Sequence, residues 1–158
     1  MASREKRNAV KIEGWRVSRC PIDQTETILQ GDMMAWVDAL KLATKLTSAA
    51  SGAQFCGVSD TTNPVETVGS LTSDTASPRI NLVQQGLVEM IAGEIMTVYP
   101  FDLLTIGADS QTVVKTGANS TNKVGVGDLA YGSGGKTFAV GDLVKMWVTV
   151  KDLYRVFV

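Results

Sequence analysis

Residues 136–150 read KTFAVGDLVKMWVTV, a Gly-Asp pair set between two apolar runs, and the reading of that pair decides the fold. Glycine reaches positive φ values that other residues avoid, and a short aspartate side chain accepts hydrogen bonds from nearby backbone amides. Together they make a corner from which a strand departs. The pair recurs in ILQGDMMAWVD (residues 28–38) and KVGVGDLAYGS (residues 123–133), so Gly31-Asp32, Gly127-Asp128 and Gly141-Asp142 predict three strand-opening turns. The competing reading gathers Asp32, Asp128 and Asp142 on one cation, since carboxylates bind calcium or magnesium. None of the three lies in the dense Asp/Asn/Glu spacing of a calcium loop, and no metal site is expected.

Outward from these corners, strand signals repeat and helix signals are scarce. VKIEGWRVSR (residues 10–19) alternates Val10, Ile12, then Trp15 and Val17, with Gly14 placed to reset the phase. TILQGDMMAWVD reads as strand, turn, strand, and QFCGVSD offers a compact strand at residues 55–58. INLVQQGLVEMIAG and EIMTVYPFDLLTIG read as consecutive strands, the second broken after Tyr99 or held at an edge because Pro100 cannot donate to a central ladder. KMWVTVKDLYRVFV suits one strand through Val150 and another over residues 153–158. The best helix candidate is ALKLATKLTSAAS, where Leu40, Ala43 and Leu46 recur at near-helical spacing, although Leu40, Leu42 and Leu46 also fit a strand with one gap. Strands spaced by glycine turns, without βαβ alternation, predict an all-β fold: a small barrel with at most a short helix.

Composition supports one such domain. The chain has 158 residues, 44% hydrophobic and 20% charged, enough to bury a core. The segment DTTNPVETVGSLTSDTASP changes character, and its Ser, Thr, Asn, Asp and Pro predict an exposed loop at about residues 60–78 within the domain. We therefore divide the chain into residues 1–19, a basic N-terminal arm and first strand, and residues 20–158, the barrel. No apolar run reaches the ~20 residues that a membrane helix needs. A formal charge of −1 gives no overall pull toward nucleic acid or a membrane, so neither is expected as a partner. The charged N-terminus lacks the apolar segment of a secretory signal, which predicts synthesis in the cytoplasm.

The chain contains no histidine. That removes the commonest general base, the usual partner of a nucleophilic serine or cysteine, and the commonest imidazole metal ligand. Glu89 and Glu94 form a conceivable carboxylate pair, but spacing along the chain does not place them together in space. An enzyme is not expected, and no catalytic residue is nominated. GVGDLAYGSGG lacks the Gly-Lys-Ser/Thr ending of a phosphate loop, so GSGG is read as a hairpin tip. LVEMIAGE lies where biotin or lipoyl carriers display a lysine, yet it contains none. Cys20 and Cys56 are read as buried or half-buried free thiols, and no cofactor is expected.

The first twenty residues carry Arg4, Lys6, Arg7, Lys11, Arg16 and Arg19 against only Glu5 and Glu13. Two readings stay open here: a frayed soluble terminus, or an arm that orders against an acidic partner through charge pairing and edge-strand hydrogen bonds. Trp36 and Trp147 follow the turns and are read as core residues. Trp15, beside the basic stretch, is the best interface residue, while Tyr99 and Phe101 are candidate anchors at core or interface positions.

Taken in order, ILQGDMMAWVDALKLATKLTSAASGAQFCGVSD, LVQQGLVEMIAGE and VGVGDLAYGSGGKTFAVGDLVKMWV resemble the head-decoration, or capsid cement, proteins of tailed bacteriophages. The features that carry the resemblance are Gly31-Asp32, Gly57-Val58, Gly127-Asp128 and Gly141-Asp142, over about residues 28–150. The resemblance implies a β-tulip barrel that assembles as a homotrimer on the outer capsid surface near local threefold axes. It implies reinforcement of the expanded shell without chemistry, the major capsid protein as partner, and the virion as location. By the same analogy Arg4, Lys6, Arg7, Lys11 and Trp15 belong to a capsid-binding arm. The segment at residues 60–78 departs from the shortest family members. Two rivals share the β character: a binding module, for example one for glycans, and another self-assembling virion part such as a tail-tube or head-completion subunit.

Overall fold

The computed structural model of the chain describes residues 11–23, 26–60 and 79–150, with backbone alone for 11–19 and 51–53. Its described residues form strands β1 (Lys11–Pro21), β2 (Met33–Val37), β3 (Leu42–Lys45), β4 (Phe55–Ser59), β5 (Arg79–Ala92) and β6 (Met96–Val98). They continue with β7 (Leu103–Ile106), β8 (Thr112–Val114), β9 (Gly125–Gly127), β10 (Lys136–Phe138) and β11 (Leu143–Thr149). The fold is all-β, as the strand spacing predicts, and the helical segments among the described residues are short 3-10 turns at Ala49–Gln54 and Leu129–Tyr131.

The long strand β5 organises everything else. Along one edge it pairs antiparallel with β1, from Pro21 opposite Arg79 to Lys11 opposite Val88, and then parallel with β8 at Ile91 and Ala92. Along the other edge it pairs with β4 at Leu82 and Val83 and with β11 from Gln85 to Ile91. Because β11 continues through β9, β7 and β8 back to β5, these five strands close into a barrel with no free edge. The remaining strands lie outside it in the order β5, β4, β2, β3. A parallel bridge between Ile22 and Ala43 links the end of β1 to β3, nearly closing a second ring that shares β5.

Two apolar clusters follow from this arrangement. The larger fills the barrel and includes Val88, Met90, Leu104, Val113, Val144 and Met146. The smaller lies inside the second ring and contains Cys20, Ile28, Met34, Cys56 and Leu82, with Trp36 half-buried against it. Strand alternation lets β2 serve both: Met33 and Ala35 face the barrel side, while Met34 faces the second cluster. The two-stranded ribbon of β6 and β10 turns Met96, Val98 and Phe138 inward as a plug on the larger cluster.

Local sequence explains the departures from expectation. Residues 28–30 do not form a strand; β2 begins only after the corner. The helix candidate is a hairpin strand instead: Lys41 turns the chain at φ 55, and β3 then pairs with β2. Tertiary pairing overrides the helix propensity there, leaving Leu40 exposed and Leu46 buried. Within the polar stretch 108–123, residues Thr112–Val114 form β8. The GSGG segment is no hairpin tip, because β9 pairs with β7 and β11 while β10 pairs with β6. Residues 153–158 and the loop at about 61–78 lie outside the described residues.

Candidate functional site

The Gly-Asp pairs resolve into two structures. At Gly31-Asp32 the Asp32 amide donates to Leu29 O at 3.1 Å, and the Leu29 amide donates to Asp32 Oδ2 at 2.7 Å. At Gly141-Asp142 the same reciprocal ring forms, Asp142 N to Ala139 O at 3.1 Å and Ala139 N to Asp142 Oδ2 at 2.8 Å. The residue before each aspartate has positive φ, 97° at Gly31 and 94° at Gly141, which is why glycine stands there. These corners lead directly into β2 and β11.

Gly127-Asp128 is different: it ends a strand. β9 stops at Gly127, and Asp128 caps the following 3-10 turn by accepting from the Ala130 amide at 3.4 Å, while Trp147 Nε1 donates to its Oδ1 at 3.3 Å. The third corner of the first type is YPFD, residues 99–102. Asp102 N donates to Tyr99 O at 3.1 Å and Tyr99 N donates to Asp102 Oδ2 at 2.8 Å, with Phe101 holding the left-handed position at φ 65. It leads into β7. The available signal was Pro100 at the second turn position followed two residues later by aspartate.

Burial grades the corners. Asp32 is fully buried and also accepts from Ser110 Oγ at 2.7 Å, with Lys45 Nζ 3.9 Å from its carboxylate. Around it, Met33 N donates to Ser110 O at 2.7 Å, Ser59 N to Asp32 O at 2.8 Å, and Gln111 Nε2 to Gln30 O at 3.1 Å. The corner therefore joins the start of β2, the end of β4 and the turn between β7 and β8. Asp102 is half-buried and Asp142 exposed. The three aspartates of the cation reading thus bind separate sets of backbone and side-chain donors. Among the described residues no three carboxylates or thiols gather as a metal site.

Asp102 belongs to a small charged cluster. Partial burial opposes its ionisation, but Lys115 Nζ at 2.8 Å and the Tyr99 amide outweigh that, and its carboxyl lies below the ordinary value. Glu94 is also lowered: slight burial raises it, while bonds from the Thr116 and Lys115 amides, each 2.8 Å, lower it more. Lys115 further donates to Thr97 O at 3.0 Å and sits 5.3 Å from the Tyr99 ring centroid. Depressed folded-state values mean that the ionised carboxylates stabilise the fold. That contribution is complete above the ordinary carboxylate range near ~4 and is lost as pH falls through the lowered folded values. We expect Lys115→Met to flatten the acid side of the stability profile, read from urea midpoints at decreasing pH. An unchanged acid slope would remove Lys115 from this role.

Exposed apolar residues concentrate nearby. Ile95 is 76% exposed and Phe101 66%; Tyr99, Leu129, Val140 and Leu143 are also exposed, and only Leu40 lies elsewhere among the large exposed hydrophobics of the described residues. The pairing of Phe138 with Met96 sets residues 139 and 140 beside Ile95, and the Phe101 amide donates to Gly127 O at 3.1 Å, next to Leu129. The corners at residues 99–102 and 139–142, which follow β6 and β10, thus flank the ribbon with exposed apolar side chains.

Of the arm residues, Arg4, Lys6 and Arg7 lie outside the described residues. Lys11 and Trp15 lie on β1, opposite β5, where the backbone alone is described. Trp147 is half-buried beside Asp128, and Trp36 packs on the second cluster. Glu89 lies opposite Lys145 on β11, while Glu94 is held by backbone amides. Among the described residues no helix is long and apolar enough to cross a membrane. No protein-family profile matches the chain, and no curated protein is significantly similar to it.

Proposed function

We propose that this chain is a structural virion protein that binds the outer surface of a bacteriophage capsid as a homotrimer and stabilises the expanded shell. The observation that carries the reading is β1. This 11-residue strand continues directly from the basic N-terminal stretch, and among the described residues it pairs along one edge only, with β5. A strand whose second edge has no partner among the described residues, with a basic stretch before it in sequence, suits addition to a partner's sheet, with main-chain bonds giving affinity and charge giving orientation. The exposed apolar side chains flanking the β6–β10 ribbon support self-association, because exposed apolar surface of this kind marks interaction sites. Repeated weak contacts across a shell then sum to tight attachment.

Deleting residues 1–7 is expected to weaken binding to expanded heads while the circular dichroism spectrum stays native. Full binding by the truncated, folded protein would remove the arm from the contact. Light scattering on the purified protein is expected to give the mass of three chains.

A further inference from the structure

Among the described residues, asparagine stands at positions 81, 119 and 122. Asn81 lies within β5, and the residue after it, Leu82, is paired in the sheet with Ser18 and Ser59. Asn119 and Asn122 lie between β8 and β9, in the segment TGANSTNK (residues 116–123). That segment is tied at both ends. Glu94 accepts from the Lys115 and Thr116 amides, each at 2.8 Å, and Thr105 Oγ1 donates to Asn122 O at 2.9 Å.

The two asparagines clasp one another. Asn119 N donates to Asn122 Oδ1 at 2.8 Å, while Asn119 Oδ1 accepts from the Thr121 amide at 2.8 Å and the Asn122 amide at 3.0 Å. Asn119 and Ser120 are exposed, and the Ser120 amide makes no hydrogen bond among the described residues. Asn122 differs, because the amide that follows it is engaged: Lys123 N donates to Asn119 O at 3.1 Å. Asn119 alone of the three thus combines a doubly bonded side-chain carbonyl, an unbonded following amide and access to water.

We propose that Asn119 is a self-modifying site, converting through a succinimide to aspartate and isoaspartate without an enzyme. Hydroxide removes the Ser120 amide proton, and Ser120 N attacks Asn119 Cγ. The negative charge that gathers on Oδ1 meets the Thr121 and Asn122 amides, whose distances suit stabilisation of an oxyanion. Because the segment is held at both ends, these donors are in place before the attack. The N–Cγ bond forms, the Cγ–Nδ2 bond breaks, and Nδ2 leaves as ammonia after taking a proton from water, which returns the hydroxide. Water then opens the ring. Attack at Cγ gives aspartate, which keeps the clasp and offers its donors a charged acceptor. Attack at the main-chain carbonyl gives isoaspartate, which lengthens the main chain, shortens the side chain and undoes the clasp. The reaction goes beyond the virion reading and does not rest on it.

The test incubates the full chain, folded and in urea, in matched buffers at physiological temperature, then digests each sample briefly with trypsin in mildly acidic buffer. Cleavage after Lys115 and Lys123 releases residues 116–123, whose fragment masses separate Asn119 from Asn122 and whose retention separates aspartate from isoaspartate. The proposal requires conversion at Asn119 about tenfold faster in the folded chain than in urea, a rate that rises with hydroxide concentration, and an unconverted Asn122. Equal or slower conversion in the folded chain, or conversion at Asn122 instead, would overturn it. Ser120→Pro removes the attacking N–H at a position where no hydrogen bond is lost. With Tm unchanged the products must disappear, and their persistence would overturn attack by Ser120 N. The folded and urea samples of the wild-type chain decide the proposal without that variant.

Discussion

Asp32→Ala is expected to destabilise the protein by about 4 kcal/mol, read as a lowered urea midpoint at neutral pH. The substitution removes a fully buried carboxylate that accepts from the Leu29 amide and the Ser110 hydroxyl, both at 2.7 Å. Each donor is left without that acceptor, at about 1–3 kcal/mol apiece, and Lys45 loses the charge 3.9 Å away. The corner also holds β2 to β4 and to the β7–β8 turn, so the damage reaches both apolar clusters. Asp142→Ala is the internal control. Its corner has the same reciprocal ring, but the side chain is exposed, so water replaces the lost acceptor and the expected cost is about 1 kcal/mol. Equal costs at the two positions would show that burial of the Asp32 network is not what stabilises this junction.

Gly127→Ala is expected to cost about 3 kcal/mol, for a purely steric reason. A methyl group at this point of β9 would collide with the Tyr99 carbonyl oxygen and lie 2.6 Å from Val98 Cγ1. A backbone carbonyl cannot rotate aside as a flexible side chain does. The crowded segment is also held by Gly127 N to Asp102 O at 2.9 Å and Phe101 N to Gly127 O at 3.1 Å. Relief would therefore have to shift the Tyr99–Asp102 corner or open the β9 ladder. Gly134→Ala, with no atom within 4 Å of the added carbon, is expected to be nearly neutral. Thermal or urea unfolding of the two variants side by side gives the contrast, and similar stabilities would contradict the close approach.

These two residues show what could be read from the sequence. The all-β character was legible because alternation and glycine spacing are local properties, and β1, β4 and β11 lie close to where apolar alternation put them. Asp32 was legible as a turn residue but not as a buried hub, since its partner Ser110 is 78 residues away. Gly-Asp itself is ambiguous. The same dipeptide opens a strand where its aspartate closes a ring on the residue three before it, and ends one where its aspartate caps the next turn. Position 127 is glycine because the Tyr99 carbonyl of the corner at residues 99–102 crowds it, a long-range fact invisible in KVGVGDLAYGS. The YPFD corner escaped because Phe101 occupies the left-handed position where glycine was sought. β3 escaped because Leu40, Ala43 and Leu46 mimic a helical stripe, and only pairing with β2 decides otherwise.

The most direct test of the decoration reading is co-sedimentation of the full chain with expanded, undecorated phage heads, quantified against added protein. The reading predicts saturable binding that levels off at a multiple of three chains per capsid site and raises the temperature at which the heads rupture. Sedimentation no greater than that of an unrelated β-barrel protein, with rupture unchanged, would contradict it.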